Sequence, residues 1–310
     1  MTKKIHRAGF VTIIGRPNAG KSTLLNALVG DKLAIVSEKP QTTRTSVQGV
    51  LTLPGAQIVF VDTPGIHESK TLLNRRMMAV VRAALEQRDV ILYLADCTLP
   101  IDKAEQEALA VLAKVTTPAL LLITKVDLLK DKRLLLPLIT QFQALRQFDD
   151  YLPVSAVKGE GMEALRQAIV AKLPEGPPLF PADYLTDQPE RFLASELVRE
   201  KILEQTRQEV PHSVAVMVDK WEDTPKLTRI AATIFVERPG QKAILIGAHG
   251  AVMKKVGSAA RADIETMLGK KVFLELFVKV RAEWRESDEF LKAIDWRSAG
   301  GGELNSEPEI

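Results

Sequence analysis

The stretch Gly15-Arg16-Pro17-Asn18-Ala19-Gly20-Lys21-Ser22 constrains this chain more than any other. It has the spacing G-x-x-x-x-G-K-[ST], with an apolar run at Phe10–Ile14 before it and a helical pattern at Ser22–Val29 after it. A strand–loop–helix junction of this composition turns backbone N–H groups inward around phosphate oxygens, and the helix adds the positive end of its dipole. Lys21 neutralises β- and γ-phosphates, the Ser22 hydroxyl is a ligand for Mg²⁺, and Thr23 follows within the same helix start. The need for a strand before the loop also decides how the N-terminus is read. MTKKIHRAGFVTIIG is basic and then apolar, but its apolar part is short, lacks a small-residue cleavage site and runs straight into the glycine motif, so it reads as a strand and not as a signal peptide.

From residue 10 to residue 173, near-continuous apolar runs alternate with helical patterns. The runs are Phe10–Ile14, Ile58–Val61, Val90–Leu94, Ala119–Ile123 and Leu152–Val154, with Val47–Leu53 as an extra edge strand. Runs of that kind suit strands buried on both faces of a mostly parallel sheet. Helices are expected near Ser22–Val29, Asn74–Leu85, Asp102–Lys114, Leu134–Leu145 and Met162–Lys172. Residues 173–190 contain five prolines and read as a semi-rigid linker. Beyond it the pattern becomes α-β-β-α-α-β: a helix over Phe192–Glu209, strands at Ser213–Val218 and Ala231–Val236 joined by WEDTPKLTR, helices Ala243–Lys255 and Ser258–Leu268 flanking Gly257, and a strand at Val272–Val280. The Gly-rich acidic end reads as a disordered tail.

Three further tetrapeptides end apolar runs. Asp62-Thr63-Pro64-Gly65 places a carboxylate for Mg²⁺ and a Gly N–H for a γ-phosphate. Thr124-Lys125-Val126-Asp127 offers a carboxylate that accepts both hydrogens of the guanine N1 and N2 groups, which adenine lacks at that edge, while the lysine stem packs along the base. Ser155-Ala156-Val157-Lys158 supplies a backbone N–H to the guanine carbonyl. Each is weak alone; four such motifs in order at strand C-termini are strong, because ligands of open α/β sheets bind at that edge. The composition excludes other classes. No apolar run approaches the ~18 residues of a membrane span. Cys97 is the one cysteine, so no internal disulfide forms, which fits a reducing cytoplasm, and it reads as a small residue at a strand end. His6, His67, His212 and His249 have no metal-ligand spacing. Charge is uneven: residues 191–285 carry 17 Lys+Arg against 12 Asp+Glu and residues 286–310 carry 2 against 7, which leaves two readings for the basic segment, a polyanionic partner or a solvated surface.

These motifs resemble those of the translation-factor-like GTPases. Over roughly residues 8–290 the chain resembles the Era family of bacterial GTPases, on Gly15–Thr23, Gln41-Thr42-Thr43-Arg44, Asp62–Gly65, Asp187–Phe192 and Gly240–Gly250. The resemblance implies an α/β P-loop GTPase domain, a mostly parallel sheet with helices on both faces, over residues 1–174, and a linker over 175–190. It implies an α+β type II KH domain over 191–285 and a C-terminal extension over 286–310. It implies a first switch at Ser37–Thr45, with Thr43 favoured over Thr42 as the Mg²⁺ ligand beside Ser22 and Asp62, and a second switch from Asp62. Lys21, Asn18, Thr43 and Gly65 would carry GTP hydrolysis, with a K⁺ ion held partly by Asn18. The position that carries a water-orienting Gln in Ras-like enzymes is Ile66, and His67 reads as an exposed switch residue. In the second half Gly247-Ala248-His249-Gly250 is a G-x-x-G loop for a single strand, with Lys242, Ile246, Lys254 and Lys255 beside it, and Ile244, Ile246, Val252 and Val256 as core and groove floor. The implied partners are GTP/GDP, the 3′ end of 16S rRNA and the 30S subunit. The implied setting is a cytoplasmic monomer that also touches the inner face of the membrane. The alternative is a regulatory GTPase whose second domain docks protein or membrane. The chain departs from the family pattern at Thr124, where Asn is usual, and at His249, where Lys is frequent.

Overall fold

The computed structural model describes residues 6–66, 71–86, 88–207 and 210–299. The chain divides into two compact units, Met1–Lys70 with Asn74–Gln188, and Thr71–Leu73 with Pro189–Ile310. His67 lies outside the described residues.

The first unit alternates strands and helices: β1 (Arg7–Gly15), α1 (Lys21–Val29), β2 (Val47–Leu53), β3 (Ala56–Asp62), α2 (Leu72–Leu85), β4 (Val90–Asp96), α3 (Lys103–Ala110), β5 (Ala119–Thr124), α4 (Leu135–Leu145), β6 (Asp150–Pro153) and α5 (Met162–Lys172). The six strands form one sheet in the order β2-β3-β1-β4-β5-β6. All pairings are parallel except that of the edge strand β2 with β3. Two apolar layers cover its faces. Ile13, Phe60, Leu92 and Leu122 pack with Leu24 and Leu28 of α1 and Leu165 and Ile169 of α5. Ile91, Tyr93, Leu121 and Ile123 pack with Val81 of α2, Ala108 of α3 and Phe142 of α4. Alternate residues of one strand serve opposite layers, so the strands show no polar face; each side chain so buried contributes about 1.5–3 kcal/mol. The helix expected to end at Lys114 ends at Ala110, because Val111 and Leu112 donate to Ala108 and Leu109 in tighter i→i+3 turns before Thr116-Thr117-Pro118.

The proline-rich segment lies along the outer edge of this sheet. Val50 N donates to Leu185 O (2.8 Å), and Thr186 Oγ1 donates to Gln48 O (2.7 Å). Buried Gln57 accepts from the N–H groups of Leu179 (2.7 Å) and Phe180 (2.9 Å) and donates to Phe180 O (2.9 Å). Phe180 and Tyr184 stack at 4.7 Å, and Gln188 donates to Leu33 O (3.0 Å). The segment thereby occupies bonding groups that β2 would otherwise present as an open edge.

The second unit comprises α6 (Glu190–Gln205), α7 (Val210–Ser213), β7 (Ala215–Asp223), β8 (Leu227–Val236), α8 (Pro239–Ile246), α9 (Ala251–Leu268), β9 (Lys271–Val280), α10 (Asp288–Ala293) and α11 (Trp296–Ala299). Its sheet runs β7-β8-β9, with β8 antiparallel to β7 and parallel to β9. Most of WEDTPKLTR is strand, not connector: Trp221–Asp223 extend β7 and Leu227–Arg229 begin β8. The helix break expected at Gly257 falls instead at Gly247–Gly250, where Gly247, His249 and Gly250 have φ of 71°, 50° and 77°. At Gly247 a Cβ would also lie 2.6 Å from Val252 Cγ2, so the turn requires glycine. Gly257 stays inside α9, where a Cβ would meet only Leu276, at 3.6 Å. The chain stays packed beyond β9: Trp284 is fully buried and its Nε1 donates to Ser213 O (2.9 Å), and within the C-terminal extension Phe290 meets Phe235 edge-on at 4.9 Å.

Replacing Gln57 by Ala removes the acceptor for two backbone N–H groups and the donor to Phe180 O at once. We expect a loss of about 1–3 kcal/mol in urea unfolding and faster proteolytic cleavage within residues 175–188. An unchanged midpoint with unchanged cleavage would contradict the tie.

Candidate nucleotide site and nucleic-acid interface

The four motifs of the first unit meet at one sheet edge, because β1, β3, β5 and β6, which they follow, run parallel in one sheet and each ends there. A cleft of about 580 Å³ lies at this edge, lined by Pro17, Asn18, Gly20, Lys21, Ser22 and Thr23 on one side and by Ile35, Ser37, Gln41, Thr42 and Thr43 on another. Gly65 joins the lining, and a Cβ there would stand 2.7 Å from the Pro17 backbone, so the D-x-x-G loop touches the phosphate loop only because position 65 is glycine. Ile66 is buried and donates its N–H to Gly15 O (3.1 Å).

Lys21 is 6% exposed, and its ammonium donates to the carbonyls of Gly15 (3.2 Å) and Arg16 (2.8 Å). Burial lowers its pKa to about 8 against the pull of Asp62. Asp62 is fully buried, and burial pushes its carboxyl up to about 6 against the pull of Lys21. Ser22 Oγ donates to Asp62 Oδ2 (2.7 Å) and lies 2.8 Å from Thr43 Oγ1. The remaining Asp62 oxygen, Oδ1, is buried without a hydrogen-bond partner. Two hydroxyls and a carboxylate, with one orphaned oxygen, form the hard all-oxygen set that suits Mg²⁺ shared with a phosphate. Among the described residues no cluster of three or more His, Cys, Asp or Glu offers a rival metal site. Thr42 Oγ1 is turned to Lys39 O (2.6 Å), whereas Thr43 faces Ser22.

Other expected site residues are placed as follows. Asn18 has φ 63° and donates to Glu38 O (2.6 Å), which ties the phosphate loop to the Ser37–Thr45 stretch. The Arg16 side chain turns away from the cleft, to Asp102 (2.9 Å) and Glu105 (3.5 Å) of the α3 start, and Glu105 accepts from Tyr93 Oη (2.5 Å). Burial raises the Glu105 pKa. Ala19 contributes its carbonyl to Thr124 Oγ1 (2.8 Å). Lys125 lines the cleft, with Asp96, Thr98, Leu99 and Leu128 around it. Asp127 and Ser155–Val157 lie outside that lining but belong to the same edge: Val126 N donates to Val154 O (3.4 Å), and Ser155 Oγ accepts from Lys158 N (3.1 Å). Sequence reasoning missed Asp96, whose signal was its place at the end of an apolar run, the position that Asp62 and Thr124 share.

In the second unit, Gly247-Ala248-His249-Gly250 joins α8 to the N-terminus of the eighteen-residue α9. Ala248, His249, Lys254 and Lys255 are exposed, and Lys242 and Ile246 are half-buried. Val256 is core, as expected, and Val252 is half-buried. Ile244, expected with Ile246, Val252 and Val256 as core or groove floor, is not core: it is 55% exposed on α8.

Residues 10–125 match the family model described as 50S ribosome-binding GTPase, and residues 209–285 match the KH domain model. GTPase Era of Geobacter metallireducens is 48% identical over 298 residues, covering 96% of this chain and all of that one. GTPase Era of Leuconostoc citreum is 46% identical over 96% of this chain and 98% of its own length. A crystal structure of Era with MgGDPNP and nucleotides 1506–1542 of 16S ribosomal RNA matches with TM-score 0.91 at 40% identity, covering 93% of this chain and 98% of that one. Aquifex aeolicus Era with GDP and AlF4⁻ matches with TM-score 0.90, also at 40% identity over 93% and 98%.

The raised Asp62 pKa has a signed consequence. Its folded value, about 6, exceeds the 3.8 of an ordinary aspartate, so the ligand-free fold loses stability as pH rises from about 4 through 6. Asp62→Asn removes this dependence. Without nucleotide, we expect the variant to gain on the wild type by on the order of 2–3 kcal/mol between pH 4 and pH 7 in urea unfolding. A difference independent of pH would contradict the burial of a titrating carboxylate.

Proposed function

The chain belongs to the Era family of GTPases, and on that premise we propose that residues 1–174 bind and hydrolyse Mg²⁺·GTP while residues 191–285, beyond the linker 175–190, grip a single-stranded segment at the 3′ end of 16S rRNA, in assembly and maturation of the 30S subunit. The observation that carries the reading is the junction of Ser22, Thr43 and Asp62 oxygens within 2.8 Å under the phosphate loop. In the Era crystal structure named above, MgGDPNP and the RNA segment are bound together.

Hydrolysis follows from the groups at this junction. The N–H groups of the loop from Gly15 to Thr23 surround the β- and γ-phosphates, and the Lys21 ammonium exchanges two carbonyls for phosphate oxygens. Mg²⁺, when bound, neutralises charge on those oxygens, and Ser22, Thr43 and Asp62 are the residues that hold it. Gly65 N–H meets the γ-phosphate. Ile66, at the position that carries a water-orienting Gln in Ras-like enzymes, is apolar and buried and cannot orient the attacking water. Catalysis then rests on charge stabilisation and positioning, and intrinsic turnover is slow, about 10⁻⁴–10⁻² s⁻¹. Asn18, beside Glu38 at the mouth of the loop, is the residue that would partly hold a K⁺ ion, which would supply further positive charge there. Turnover faster in K⁺ than in Na⁺ is the expected outcome of steady-state assays, and equal rates would remove the ion from the mechanism.

The G-x-x-G loop presses its backbone against RNA phosphates, with Lys242, Lys254 and Lys255 beside it, while Ile246 and His249 adjoin the bases. Substituting Gly250→Asp tests this directly. A Cβ at Gly250 meets no atom within 4 Å, and aspartate is among the side chains that adopt its φ of 77° at least cost, so the strain stays local to the turn while the new carboxylate faces the phosphates. We expect RNA binding to fall at least about a hundredfold, the cost of a repelled phosphate contact, with GTP binding intact. Retained RNA affinity would move the RNA site elsewhere. The cytoplasm, a monomeric state and contact with the inner membrane face complete the reading; no helix among the described residues is long and apolar enough to cross a membrane.

A further inference from the structure

Position 124 leaves the base-reading loop short of one donor. The Thr124 hydroxyl has a single proton and two carbonyls in reach, Ala19 O at 2.8 Å and Ala95 O at 3.2 Å. An amide would supply two protons, one for each. The loop that follows is also strained: Lys125 has φ 61°, in the left-handed region that side chains disfavour. Something else must hold it.

The end of β4 does so. Lys125 Nζ meets Asp96 Oδ2 at 2.6 Å, Cys97 N donates to Thr124 O (3.2 Å), and Cys97 Sγ donates to Lys125 O (3.3 Å). Asp96 is itself fixed, since its Oδ1 accepts from Thr98 N (2.9 Å) and Thr98 Oγ1 (2.6 Å). Its side chain is 6% exposed, so the ion pair is not one of the fluctuating surface pairs that contribute little. Asp96 and Lys125 both line the cleft, beside the exposed side chains of Leu99 and Leu128.

We propose that Asp96 is a positioning residue for guanine recognition: it anchors the Lys125 ammonium so that the lysine stem walls the base slot and Asp127 stays available to the base. The proposal rests on the reading of Asp127 as the base-reading carboxylate. Its logic is a competition for one cation. Asp96 and Asp127 both act electrostatically on Cys97, so both stand in this neighbourhood. Asp127 stands two residues from Lys125 in the same loop, so an ammonium released from Asp96 has a carboxylate there to compete for, and pairing with it would occupy the acceptor that distinguishes guanine. Asp96 therefore acts on specificity through Lys125 and not by touching the base.

The test is a double-mutant cycle in the full chain, read as equilibrium binding of fluorescent GDP and, by competition, of IDP, which lacks the 2-amino group. Asp96→Asn keeps the acceptor for Thr98 and removes the charge. The expected result is GDP binding weakened about tenfold with a reduced preference for GDP over IDP. The effect of Asp96→Asn shrinks below twofold once Lys125 is Met. Independent, multiplicative losses in the cycle, or an unchanged GDP-to-IDP ratio in Asp96→Asn, overturn the proposal. Should Asp96→Asn lose its cooperative melt, Asp96→Ser carries the same cycle, since a hydroxyl still accepts from Thr98. The underlying reading is tested apart from this: an Asp127→Ala protein that retains wild-type GDP affinity overturns the base-reading role, whatever the Asp96 variants do.

Discussion

A lysine buried at the throat of the phosphate loop is the constraint around which the first unit is arranged. Lys21 has almost no contact with solvent, and its charge is held by two carbonyls and by a buried aspartate from a different strand. Neither charge is comfortable alone: burial lowers the pKa of one and raises that of the other. The fold tolerates this because the site is built for more charge than the protein supplies. An orphaned Asp62 oxygen, two hydroxyls and a ring of backbone donors wait for a divalent cation and a polyanion, and the cost of keeping them ready is offset when those arrive.

The parallel sheet delivers these groups to one place. Four strands end at the same edge, so residues from positions 15 to 127 converge without any loop having to reach far. The same edge is cross-braced. Ala19 bonds to Thr124, Asn18 to Glu38, Ile66 to Gly15 and Lys125 to Asp96, so each ligand-binding loop is held by another. Displacement of one segment is felt by its neighbours, which is the mechanical basis on which a bound phosphate can be reported beyond the cleft. On the opposite flank, the proline-rich segment takes its bonds from β2, β3 and, through Gln188, from Leu33, only a few residues before the Ser37–Thr45 stretch.

Much of the architecture was legible in the residues. Continuous apolar runs announced buried parallel strands, and the extra edge strand Val47–Leu53 was found with its observed bounds. The phosphate loop, Asp62, Lys125 and the G-x-x-G loop were visible because their chemistry demands specific residue types at short spacing. What was misjudged shared one cause, namely that local pattern does not say which partner a residue finds. Gly257 looked like a helix break but sits harmlessly inside α9, while the break belongs to Gly247 and Gly250, whose backbones take the left-handed φ of 71° and 77°. Ile244 follows a helical apolar period yet faces outward.

The amino-acid order alone carried the phosphate-loop spacing, the carboxylate of Asp62 after its apolar run and the proposed guanine reader Asp127, because each is a short-range combination that a few consecutive residues encode. Tertiary structure alone decided which threonine of the pair at 42 and 43 faces Ser22, that Asp96 holds Lys125, and that the proline-rich segment is tied to the sheet edge. These are contacts between residues twenty to more than a hundred positions apart, and only the packing of the sheet and its helices brings such groups within bonding distance.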